Sequence, residues 1–90
     1  MSQFMQDVGA ERLRQIEKGY TPEHDDEHGP QGLVELVDSK LMWARNAIML
    51  RKNKPDDPEA AKARTYLVEA TAMLVAAGQA LDRESEDDDE

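Results

Sequence analysis

Ninety residues with a net charge of −9 and no cysteine bound one small domain, and they exclude disulfides and thiolate metal sites. Six of the last seven residues, Glu84 to Glu90, are carboxylates, leaving −3 of the −9 on residues 1–83 and no basic footprint for nucleic acid. No apolar run approaches the ~20 residues of a membrane span, and no basic segment followed by an apolar run suggests a signal peptide.

The first predicted helix runs from about Ser2 to Lys18 and stops at Gly19, a residue suited to the left-handed position after a helix. Met5, Val8, Leu13 and Ile16 fall close to one side, with Asp7, Glu11, Arg12, Arg14 and Glu17 on the other. Gly9 weakens the middle of this helix by about 1 kcal/mol relative to alanine.

The stretch "GYTPEHDDEHGP" follows. Thr21 suits an N-cap and Pro22 a first helical position, so one or two helical turns are expected before Gly29 and Pro30 stop them. Within such a turn His24 and His28 stand four apart on one face, the spacing at which two imidazoles chelate a divalent metal. "HDDEH" also satisfies the H-x-x-E-H pattern of the inverted zinc peptidases. Those enzymes need a long helix, a third ligand and a cleft, for which 90 residues leave little room. The plainer reading is that Glu23, Asp25, Asp26 and Glu27 decorate the positive end of a helix dipole, and that no structural metal is held. Tyr20, Glu23, His24, Asp25, Asp26 and His28 are the candidate ligand-binding residues.

The second helix is predicted over about Gln31 to Lys52. Val34, Val37, Leu41, Ala44 and Ile48 repeat with 3-4-3-4 spacing and make one seam. If that seam faces the two sister helices, Leu36, Met42, Trp43, Met49 and Leu50 are left outward as candidate interface residues. Arg45, Arg51, Lys52 and Lys54 gather at the end where the helix dipole is negative. Glu35 and Asp38 form an E-x-x-D pair, as do Glu23 and Asp26. Paired carboxylates on facing helices hold Mg²⁺ in the all-α nucleotide pyrophosphohydrolases of the MazG type. The E-x-x-E helix of that family is missing here, because the third helix offers only the widely spaced Glu59 and Glu69.

Asp57 is placed to cap the third helix, with Pro58 at its first position and Glu59 in its first turn. Leu67, Ala70, Leu74, Ala77 and Leu81 repeat as 3-4-3-4, flanked by Tyr66 and Met73. The linker "KNKPDDP" is short enough to force an antiparallel hairpin. No segment alternates as a strand would. The expected fold is all-α: a small three-helix bundle built from a helix, a polar turn and an antiparallel helical hairpin. Residues 1–83 form the domain and 84–90 a disordered acidic tail.

At "ERLRQIEKGYTPEHDDEH" the chain resembles a family of small uncharacterised bacteriophage and prophage proteins, whose pattern is E-R-x-R-Q-I, a glycine and an aromatic, then T-P-E-H-D-D and a further histidine. Glu11, Arg12, Arg14, Gln15, Ile16, Gly19, Thr21, Pro22, Glu23, His24, Asp25, Asp26 and His28 fit it, and Tyr20 stands where tryptophan is commoner. "YLVEATAMLVAAGQALDR" resembles the family's last helix. The likeness covers roughly two-thirds of the chain. It departs in the middle, where "WARNAIMLRKNKPDD" replaces a tryptophan- and proline-rich segment. The resemblance implies a phage origin and a setting in the host cytoplasm, and it implies no activity.

Taken together, the residues and the resemblance predict an accessory protein that acts by binding a host factor or a small nucleotide-type ligand, without a cofactor. It is expected to be a homo-oligomer with no nucleic-acid or membrane partner. The alternatives are a Mg²⁺-dependent nucleotide pyrophosphohydrolase using Glu23, Asp26, Glu35 and Asp38, and a purely structural oligomer.

Overall fold

Ser2 starts the first helix by leaving it: its backbone is extended (φ −68, ψ 157) and its hydroxyl accepts the Met5 N–H at 3.2 Å. The computed structural model describes the backbone of residues 2–19, 22–52 and 56–88, and their side chains except at 22, 24–26, 28 and 86–88. Those residues form α1 (Gln3–Glu17), α2 (Pro22–Leu50) and α3 (Pro58–Asp88), with no strand among them. The protein is an all-α three-helix bundle.

Each boundary has a local cause. Beyond α1, Gly19 takes φ 108 and its N–H reaches the Ile16 carbonyl at 3.1 Å, closing the last turn. Gly29 (φ 77, ψ 164) divides α2 into a short helix over 22–28 and a long one over 30–50 opened by Pro30. The expected polar turn is thus helical and ends where glycine and proline end it. At α3, Asp57 Oδ1 accepts the Glu59 N–H at 2.9 Å, and Oδ2 accepts the Lys52 N–H, tying the cap back to the end of α2. The α3 backbone continues to Asp88, into the acidic run, but Glu84 and Ser85 are exposed and that run buries no apolar group among the described residues.

The core is a seam of alanines between α2 and α3. Among the described residues eight of the thirteen buried apolar ones are alanine, and Leu33 and Val37 are the largest side chains sealed from solvent. Leu33 packs on Ala76 and Ala77, while Val37 packs on Ala70 and Met73. Among the described residues α1 lies on α3 and touches α2 at most marginally. Its Val8 fills a pocket with Val68 and Ala72, and Phe4 covers the edge.

This arrangement splits the predicted seams. Val37, Ala44, Ala70 and Ala77 are buried, but Val34, Leu41, Ile48, Leu74 and Leu81 remain 38–53% exposed. Small residues at the contact let the helices approach closely, so a narrow strip carries the packing and every second seam residue falls beside it. In α1 the same happens: Val8 is buried while Met5 and Leu13 are exposed.

Candidate functional site

The three helices converge on a polar cleft of about 210 Å³ lined by Glu11, Arg14, Gln15 and Lys18 of α1, Lys40 of α2, and Glu69 and Met73 of α3. Helical spacing puts Glu11, Arg14, Gln15 and Lys18 on one face of α1. Glu11 accepts Arg14 Nε at 2.7 Å and Nη2 at 3.0 Å, a forked pair, and Gln15 Nε2 at 3.1 Å. The buried Gln15 amide also reaches the Glu69 carbonyl at 3.5 Å, which stitches α1 to α3. Lys40 Nζ meets Glu69 Oε2 at 2.7 Å, with both side chains about one-fifth exposed, and joins α2 to α3. Every carboxylate of the cleft is therefore already engaged by a cation of the chain.

Carboxylate chemistry follows from these pairs. The Arg14 guanidinium holds the Glu11 carboxyl below its ordinary range, against the opposing effect of burial. Asp7 is lowered by hydrogen bonds from Gln3 and then Arg64, the latter at 2.7 Å across the α1–α3 contact. Asp57 is lowered by the backbone N–H groups of Lys52 and Glu59 that it caps. A carboxylate whose folded pKa is depressed stabilises the fold above its unfolded pKa, about 4, and loses that contribution as pH falls through the folded value. The melting temperature is therefore expected to hold from neutral pH to about 5 and to fall below about 4. Asp57→Asn should flatten that decline, and an acid profile identical to wild type would show that the cap does not form.

Lys40 links the cleft to an aromatic surface. Its ammonium lies 5.9 Å from the Trp43 ring centroid, and Trp43 in turn tilts at 52° against Tyr66 with centroids 5.7 Å apart. The indole is nevertheless 53% exposed, and Met42, Met49 and Leu50 are 71%, 73% and 56% exposed. Met42, Trp43, Arg45, Asn46 and Met49 line an open hollow of about 380 Å³. Beside it Trp43, Asn46, Glu59, Lys62 and Tyr66 line a second of about 160 Å³.

The outward placement of Leu36, Met42, Trp43, Met49 and Leu50 agrees with the sequence expectation. Of the candidate ligand residues, Glu23 is exposed, whereas Tyr20 and the side chains of His24, Asp25, Asp26 and His28 lie outside the described residues. Glu23, Glu35 and Asp38 are all exposed. Among the described residues no three His, Asp or Glu side chains gather in a way that would hold a metal. No described helix is long and apolar enough to cross a membrane. The Lys40–Glu69 bridge was invisible in the sequence, since pairing across helices leaves no local spacing signal, whereas the Glu11–Arg14 pair lies at i and i+3 of one helix.

Compared with known proteins, the chain matches no family model, no curated protein and no solved structure.

Proposed function

We propose that the protein is a phage-encoded accessory factor that binds a host protein in the host cytoplasm, through the α2 surface centred on Trp43. The observation that carries this reading is an aromatic anchor held in place yet half open to solvent: Trp43 is fixed by Tyr66 and Lys40, and flanked by methionines that adapt to a partner's shape. The cation on its rim is Arg45, beside the larger hollow, while Lys62 beside the smaller one is paired with Glu59 at 3.4 Å. The fitting partner is a segment that presents apolar side chains next to carboxylates. A protein is favoured over a small nucleotide because the cleft, about 210 Å³, is smaller than the ~300 Å³ at which ligand pockets begin, and two of its three cations, Arg14 and Lys40, are already paired with Glu11 and Glu69. Self-association belongs to the same proposal, since α2 exposes more apolar surface than one partner covers.

The test is capture from host lysate, identification of the captured protein, and titration of the purified pair. Trp43→Ala is expected to weaken binding by about tenfold or more while leaving helical content unchanged. An affinity indifferent to that change would overturn the assignment. Metal-dependent pyrophosphate release from nucleoside triphosphates would instead establish the hydrolase alternative.

A further inference from the structure

Seven-residue spacing puts Val34, Leu41 and Ile48 in one row along α2, and Leu67, Leu74 and Leu81 in one row along α3. The contacts of Leu33 with Ala76 and Ala77, and of Val37 with Ala70 and Met73, set the alignment of the antiparallel pair. In that alignment both rows flank the same side of the hairpin. At roughly 100° per residue this is the side turned away from α1, which meets α3 at Val68 and Ala72. The rows stay open, with Val34 and Leu41 each 43% exposed and Leu74 46%.

We propose that this face is covered by a second copy of the chain, with the two α2 helices antiparallel and the two-fold axis beside Leu41. The inference rests on the self-association proposed above and specifies its surface, a row on a different face of α2 from Trp43 that shares Arg45 with the rim of the Trp43 hollow. The row is self-complementary about Leu41: Val34 falls opposite Ile48 of the second copy, and Leu41 opposite its own counterpart. Asp38 and Arg45 are exposed on the same face, three residues before and four after Leu41. Among the described residues neither has an ion-pair partner within the chain. In the antiparallel dimer each Asp38 meets the other copy's Arg45, twice by symmetry. Packing α2 on the second copy's α3 would instead bring Arg45 to the level of Arg64, another cation and one already bound to Asp7 at 2.7 Å. Charge therefore selects the α2–α2 arrangement. Residues 31–50 span about 30 Å and two helices about 20 Å, a footprint of roughly 600 Å², about three-quarters of the ~800 Å² that a standard specific interface buries per partner.

Sedimentation of the full chain tests this, with Asp38→Arg, Arg45→Asp and the double variant. Each single reversal sets cation against cation or anion against anion at two places, and should weaken the dimer by about tenfold or more. The double variant restores both pairs and should return to within about threefold of wild type. Because the chain has no cysteine, Leu41→Cys should also give a covalent dimer on mild oxidation, and Trp43→Cys should not. A wild-type chain that stays monomeric at the highest concentration reached overturns self-association and this face together. A wild-type dimer that ignores the reversals, a double variant no better than the singles, or cross-linking through Trp43→Cys as readily as through Leu41→Cys overturns the face alone.

Discussion

Replacing Leu33 by alanine is expected to lower the unfolding free energy by about 2–5 kcal/mol, a large share of the ~5–15 kcal/mol that holds a small domain together. Leu33 is 1% exposed and packs against Ala76 and Ala77. Its neighbours are methyl groups with no freedom to swing into the space it would vacate, so the cavity stays open and the loss is expected toward the upper end. Leu36, one turn further along the same helix, is 44% exposed and serves as the control. Leu36→Ala should cost less than about 1 kcal/mol. Urea unfolding followed by circular dichroism separates the two variants. Equal losses would mean that Leu33 does not occupy the hairpin core and that the α2–α3 alignment is wrong.

The next largest effect is expected at Gly29, where alanine should destabilise the fold by about 1–3 kcal/mol. The backbone there sits at φ 77 and ψ 164, a combination that only glycine adopts without strain. A Cβ at this position would meet nothing within 4 Å, so the cost comes from the backbone and not from a clash. Gly9 supplies the opposite case. It lies inside α1, also with nothing within 4 Å of an added Cβ, and Gly9→Ala should stabilise by about 0.5–1 kcal/mol. Thermal melts of the two variants should therefore shift in opposite directions. A shared upward shift would show that α2 runs straight through residue 29 in solution.

Much of the architecture was legible because local chemistry wrote it. Gly19, Gly29 with Pro30, and Asp57 with Pro58 mark helix ends by satisfying or freeing particular backbone groups, and each of them acts where the sequence placed it. Ser2, read as the first residue of its helix, caps it instead. Packing was half legible. Periodicity says which residues share a face but not how wide the contact on that face is. Leu41 and Leu74 therefore read as core although they lie beside it, while Ala47, Ala72, Ala76 and Ala80 are buried without having announced it. Alanine carries too little apolar area to signal burial, yet it is the residue that lets two helices touch. At the candidate site the same contrast holds. The exposure of Trp43, Met42 and Met49 followed from the excess of apolar residues around α2, whereas Gln15 bridging to the Glu69 backbone depends on a fold that brings together positions 54 apart in sequence.

The alanine rows also decide how this sequence can drift. Ala44, Ala70 and Ala77 are each no more than 5% exposed at the place where α2 and α3 come together. Any side chain reaching beyond one heavy atom past Cβ, or branched there, would wedge the helices apart and drag Leu33 and Val37 out of their sockets. Accepted substitutions at those positions should be confined to glycine or serine, while the outward leucines and methionines remain free to vary in size. A core of large side chains is damaged chiefly by subtraction; this one, beyond Leu33 and Val37, is damaged by addition.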